Sequence, residues 1–422
     1  MDGYVSSLPE EVHVNLEQNK LAELAGLWEL VSGPNKRRFY ELYGQIASLI
    51  TVKVDKPLIR AAIQFWDPSH RCFTFNGEDM MPTTEEYAML IRLNLQCPDK
   101  VYYRRTRMGI RKKLAKIMGI EPADADGFLV DKEGSIGLEW VFLRNFINTY
   151  VNEDRGLAAL ALSIYGLIIF PRVIGHVEVT VIDLFEQVQN QANPSLAIVA
   201  ETIRSLNICR RKSGERFMGC LPMLYVWLRS HFRCEKSTFT KAYFPHTWPI
   251  KEFCESEWSG PRTKEGWIAF LQTVSDTEII WLAPWMPYVP LLYRCGDKPW
   301  VQLPGLWGAV SYAPLMVVRQ LGGRQFIPAT AGLTQLEFSY DDSMASKEID
   351  RIVKSWKQTF RVNTGLVGNK VTVEYAVWKA WRPLDLMTPT MMDREPINEV
   401  PQETPSDLEI AKKVFEGKIK KK

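Results

Sequence analysis

The chain has 422 residues, enough for one large core or for two cores that share an interface. Its net charge of +3, with 46% hydrophobic and 24% charged residues, is ordinary for a soluble globular protein and excludes a chain that coats nucleic acid along its whole length. The 14 Trp point to a filled core and away from a disordered chain.

The seven Cys, at 72, 97, 209, 220, 234, 254 and 295, are irregularly spaced and form no Cys-x-x-Cys. The opening MDGYVSSLPEE is polar and acidic, unlike a secretory signal, and no Asn-x-Ser/Thr glycosylation site occurs. Free thiols in a reducing compartment are expected. The longest apolar run, Leu157 to Phe170, is too short to cross a hydrocarbon layer of roughly 30 Å, so it reads as a core helix ended by Pro171. No membrane contact is expected.

In chain order, residues 1–20 read as a polar, loosely ordered leader. Leu21, Leu24, Ala25 and Trp28 keep helical spacing, and Ser32-Gly33-Pro34 stops that helix. A second helix is predicted from about Asn35 to Leu49, with Phe39, Leu42, Tyr43 and Ile46 on one side. Then comes the most informative stretch, Gln64 to Asn94. Phe65-Trp66-Asp67-Pro68 is an aromatic anchor followed by a turn. Phe73-Thr74-Phe75 alternates apolar and polar and meets Asn76-Gly77, which predicts a tight hairpin. Thr83 and Glu86 form a capping box, after which Tyr87, Leu90 and Ile91 share a helical face.

Arg104, Arg105, Arg107, Arg111, Lys112, Lys113 and Lys116 make the segment from Tyr102 to Lys116 basic, while Ile110, Leu114, Ile117 and Met118 keep helical spacing. Residues 121–137 read as a polar loop, and Leu138 to Asn152 as a helix carrying Trp140, Phe142, Leu143 and Phe146. A turn at His176 precedes helices over Val177–Gln191 and Pro194–Asn207. Arg210 to Gly214 reads as an exposed loop, and Phe217–His231 as a helix. Ser343 is placed as the cap of a helix whose stripe is Ile349, Ile352, Val353, Trp356 and Phe360. Tyr375, Trp378 and Trp381 close the domain at Pro383. Residues 386–422 read as a disordered tail ending in lysines, and no fixed-period repeat is visible.

Several of these motifs, in order, resemble the plant mobile domain, a transposon-associated family also labelled aminotransferase-like. The matching positions are Trp66, Phe73, Phe75, Gly77, Thr83 and Leu90 in the first unit; Gly219, Cys220 and Trp227 in the helix after the long apolar run; and Gly305, Gly308, Arg319 and Gln320 near the end. The resemblance runs in patches from about Trp28 to Trp381; inserts near 119–136 and 236–266 match no motif. It implies nuclear relatives with roles in transposon silencing and genome stability, and it carries over no catalytic residue.

The expected fold is a mainly α-helical globular domain with small β-hairpins, over residues 21–385. The expected function is a non-enzymatic interaction domain with protein partners. A cryptic metal-dependent nuclease or transferase, or an inert mobile-element remnant, stays as the alternative. No nucleotide-binding glycine motif, zinc-protease motif or serine-hydrolase motif is present, and no Lys has a setting for pyridoxal phosphate, so no cofactor is expected. His231, Cys234, Cys220, His246 and Cys254 lack the paired short spacings of a structural zinc site, so no metal is expected. Asp341 and Asp342 read as helix-capping residues ahead of a nuclease pair. Arg104, Arg105, Arg107, Arg111, Lys112 and Lys113 are the candidate nucleic-acid contact, with Tyr102 and Tyr103 placed to stack on bases; a solvated helix face is the plainer reading.

Overall fold

The anchor, hairpin and capped helix form as one continuous unit in the computed structural model. It describes residues 8–17, 19–104, 109–132, 134–233, 250, 253, 260, 261, 263–340, 345–365 and 370–382. β1 (Trp66–Asp67), β2 (Cys72–Phe75) and β3 (Glu78–Met80) make an antiparallel sheet with β2 in the middle. Phe75 opposes Glu78, so the turn has two central residues, Asn76 at φ 47° and Gly77 at φ 80°. Two positive φ angles are what a type I′ turn demands, and Gly supplies the second without a Cβ clash. α4 (Thr84–Ile91) follows, and Phe73, Phe75, Tyr87, Leu90 and Ile91 are all buried in one core.

Before this unit lie α1 (Leu21–Leu30), α2 (Gly33–Tyr43), a 3-10 stretch over Gly44–Thr51, and α3 (Lys56–Gln64). Gly33-Pro34 ends one helix by starting the next, since Pro is tolerated in a first turn. Leu42 is exposed, contrary to expectation. Phe39 and Tyr43 set the buried line of α2, and the residue before Tyr43 is turned about 100° off it.

α5 (Ile110–Met118) buries Ile110, Leu114, Ile117 and Met118 as its spacing predicts. The expected loop over 121–137 instead holds β4 (Leu129–Lys132) and the start of β5 (Ser135–Glu139), a hairpin whose second strand also pairs with β6 (His176–Glu178). Asp, Lys and Gly are poor strand formers, so the pairing comes from the distant β6 and not from local preference. α6 (Trp140–Tyr150) and α7 (Asp154–Ile164) follow, α7 running on through a π-turn at Tyr165–Ile169 and stopping before Pro171. α8 (Val179–Gln189) and α9 (Pro194–Arg211) come after β6.

α9 is one turn longer than expected, so Arg210 is no loop residue: it is buried and donates to Pro9 O at 2.5 Å. Residues 8–17, expected to be part of a loose leader, are packed: Val12, Val14 and Leu16 are buried. Gln64 accepts from the Val12 N–H at 3.0 Å and donates to its carbonyl at 2.9 Å, and Asn15 bridges to Arg216. The alternation Val12-x-Val14-x-Leu16 was the signal, masked by the surrounding acids.

The later half contains α10 (Leu221–Ser230), α11 (Lys264–Thr273), β7 (Leu291–Cys295), β8 (Val301–Pro304), β9 (Gly308–Tyr312), β10 (Glu337–Ser339), α12 (Ala345–Ser355), β11 (Thr359–Val362) and α13 (Val373–Trp381). Strands order as β10-β9-β8 and β11-β7, all antiparallel. Phe360 lies in β11, outside the helix to which its spacing assigned it. Buried apolar residues form a contiguous cluster from Val12 to Trp356. The architecture is mainly α with small antiparallel sheets, and no described helix is long and apolar enough to cross a membrane. The readings at residues 1–7, Arg105, Arg107, Cys234, His246, Cys254, Asp341, Asp342, Ser343 and the tail from 386 fall outside the described residues.

Candidate functional site

The first turn of α4 puts two carboxylates in the interior. Glu86 is wholly buried, and its charge is met from four directions. The Thr83 backbone N–H and hydroxyl each donate to Oε2 at 2.9 Å, and Glu86 N donates back to Thr83 Oγ1 at 3.2 Å. Trp227 Nε1, from α10, donates to Oε2 at 3.1 Å. His231 Nε2, just past the end of α10, lies 3.0 Å from Oε1. Gln320 Nε2, from the 3-10 helix Pro314–Leu321, reaches both oxygens at 3.2 Å, and the Gln320 side chain also donates to Met81 O and accepts from Met81 N. Burying a carboxylate is costly unless charge and hydrogen bonds compensate, and here they do.

Glu85 points to the opposite side. Leu292 N donates to it at 2.8 Å, Thr84 Oγ1 at 2.9 Å, and Arg361 NH1 at 3.3 Å. Burial pushes its carboxyl above the usual range, against the pull of Leu292 N–H and Arg361. The N-terminal turn of α4 thus joins α10, β7, β11 and the 3-10 helix.

A third buried acid, Asp79 in β3, holds α13. Arg382 donates through both terminal nitrogens, NH1 at 2.7 Å, while Tyr375 Oη and Thr74 Oγ1 each donate at 2.9 Å. Burial alone would raise the Asp79 carboxyl, but the Arg382 charge and these donors outweigh it and hold it below the usual range. Beside it, Glu78 accepts from Arg319 NH1 at 2.7 Å and Lys379 Nζ at 2.8 Å, and the Arg319 guanidinium lies 3.6 Å from the centre of the Trp281 ring. α13 therefore turns its ionic face inward. Its outer face carries Val373, Val377 and Trp381, exposed by 70%, 42% and 56%. Trp381 was expected to close the core; its i, i+4, i+8 spacing with Val373 and Val377 puts it on the opposite side from Tyr375 and Arg382.

The family motif positions find their reasons here. Thr83, Trp227 and Gln320 are the partners of Glu86, and Arg319 holds Glu78. Phe73 packs edge-on against Trp66 at 4.9 Å and stacks on Phe75 at 5.4 Å. Gly305 and Gly308 bracket a turn in which Leu306 N and Trp307 N donate to the buried Glu201 at 2.7 and 2.9 Å. A Cβ at Gly308 would strike the backbone carbonyl of Phe338 on the paired strand, and one at Gly305 would meet the Glu201 carboxylate. Gly219 packs against Phe217 and Thr202, and Cys220 is a buried free thiol pushed up to about 12 by burial.

The basic candidate is dispersed by comparison. Lys113 forms an ion pair with Asp183 and lies 3.8 Å from Glu186. Arg104 sits over the Tyr340 ring at 5.5 Å. Arg111 and Lys112 are exposed on α5. Tyr102 cannot serve as a stacking platform, because it is fully buried. Next to this region a cleft of about 500 Å³ opens between Tyr103, the end of α8 at Glu186 and Asn190, and Trp356 after α12. Sequence reasoning missed His231 as a partner of Glu86, along with Glu85, Glu201 and the Asp79–Arg382 pair. Local pattern carries no sign of partners more than a hundred residues away.

The family of unknown function DUF7745 matches residues 24–382. The chain belongs to this family. The matched range takes in the Glu86 and Asp79 networks and ends at Arg382. Among curated proteins, this chain is similar to Protein MAIN-LIKE 2 of Arabidopsis thaliana, 22% identical over 251 residues, covering 57% of this chain and 37% of that protein. This likeness agrees with the plant mobile domain read from the motifs. The matched stretch thus spans well under half of that relative's length. No solved structure matches.

Proposed function

We propose that this DUF7745 domain is a non-enzymatic interaction domain of transposon origin, acting in the nucleus through protein partners in transposon silencing. The observation that supports it most is how the interior acids are spent. Glu86, Asp79 and Glu201 have their oxygens committed to internal donors on several elements, and His231 has both ring nitrogens committed. A hydrolytic centre needs such groups facing a substrate. The outward apolar face of α13 adds surface of the type that partner proteins cover. The plant-mobile-domain resemblance is what suggests the transposon origin and the nuclear setting.

The test pairs two measurements. Loss of the gene should raise transcripts of transposable elements, and the tagged chain should capture chromatin proteins from nuclear extract. Unchanged transcripts together with no nuclear partner would contradict the reading. Metal-dependent cleavage of DNA by the purified chain, lost on chelation, would overturn the non-enzymatic part. Contact with nucleic acid through α5 is a second reading, supported by the exposed Arg111 and Lys112.

A further inference from the structure

His231 sits at the end of α10 with its ring fully buried. Nδ1 lies 2.7 Å from the carbonyl oxygen of Ile280. A carbonyl only accepts, so Nδ1 carries a hydrogen. Nε2 lies 3.0 Å from Glu86 Oε1, a second acceptor. A neutral imidazole has a single N–H, so this arrangement needs one more proton, on the ring or on the carboxyl. Thr83 N, Thr83 Oγ1, Trp227 Nε1 and Gln320 Nε2 all donate to that carboxyl, and so many donors match an acceptor that carries no hydrogen of its own. The C-terminal end of a helix, where α10 places His231, favours a cation.

We propose that His231 is a buried imidazolium paired with Glu86, and that this proton closes a clasp joining α4, α10, the chain at Ile280 and the 3-10 helix at Gln320. The other charged groups on these elements have their own partners. Glu85 is turned to Leu292 and Arg361, Arg319 to Glu78 and Asp276, Glu278 to Ser275, and Arg229 lies over the Phe253 ring. Glu86 is thus the carboxylate facing the ring among the described residues. Removing the proton would leave a lone pair on Nε2 against a carboxylate oxygen with no water between them.

The test is ¹⁵N–¹H correlation of the full chain labelled at histidine, held at about pH 8, where an ordinary imidazole is neutral. One ring, assigned by its contact to the Trp227 indole, should show protons on both nitrogens. The same signal should vanish as alkaline unfolding proceeds. A His231 ring with a bare Nε2 at that pH, beside an ionised Glu86 by ¹³C carboxyl shift, would overturn the proposal. Assignment in the unaltered chain keeps the result independent of whether a His231→Gln variant folds.

Discussion

The first turn of α4 and the exposed side of α5 hold their charges in opposite ways. Glu85 and Glu86 lie inside, each met by donors from distant elements. On α5, Arg111 and Lys112 stand in solvent, and Lys113 is drawn to Asp183 on the neighbouring helix. A buried charge costs several kcal/mol unless it is fully met, whereas exposed charges interact weakly through water. Charge at α4 therefore determines how segments far apart in sequence come together. Charge at α5 joins that helix to its neighbour α8 through Lys113 and Asp183. A cluster of like charges in a sequence is the more visible of the two, yet it carries less of the structure.

The largest break in this contrast should come from Glu86→Leu. It leaves the His231, Trp227 and Gln320 donors without their acceptor, and a loss of about 3–5 kcal/mol in urea unfolding is expected. Leu90→Ala, one turn further along the same helix, removes apolar volume in place of charge and should cost about 2–5 kcal/mol, which calibrates the charge effect against plain packing. Gln320→Leu removes neutral donors to the same carboxylate and should cost about 1–3 kcal/mol.

The Asp79 network extends the comparison to pH. Its carboxyl is held below the usual range in the folded chain, so its contribution is present above the unfolded value, near about 3.9, and is lost as pH falls through the folded one. Acid unfolding followed by tryptophan fluorescence should show this loss, and an Arg382→Met variant should be less stable at neutral pH and flatter in acid. The smallest effect belongs to α5. Replacing Arg111 and Lys112 with Gln should change stability by no more than about 0.5 kcal/mol. If α5 touches nucleic acid, the same variant should weaken binding at low salt and flatten its salt dependence in fluorescence anisotropy.

The fold was legible where a local rule suffices. Asn76-Gly77 specifies its turn, Thr83 and Glu86 specify a helix start, and Ile110, Leu114 and Ile117 specify a buried face. Motif positions were legible as positions, but their purpose was not. Nothing near Trp227 or Gln320 indicates that each points at a carboxylate more than a hundred residues earlier. The β4–β5 hairpin was hidden because β6 supplies its pairing, and the packing of residues 8–17 was hidden because three apolar side chains alternate with polar ones between flanking acids. At α13 the usual rule inverts: its ionic side faces Asp79 and Glu78, so spacing alone sent Trp381 to the wrong side.

The central claim is that Glu86 and the motif residues around it act as one internal unit. A double-mutant cycle between Glu86→Leu and Trp227→Phe, read by urea unfolding, tests it most directly. Phe keeps most of the ring and removes the N–H that lies 3.1 Å from Glu86. The account predicts that Trp227→Phe destabilises the parent chain but has little effect once Glu86 is gone, a coupling of about 0.5–3 kcal/mol. Costs that add to within about 0.3–0.5 kcal/mol would contradict it.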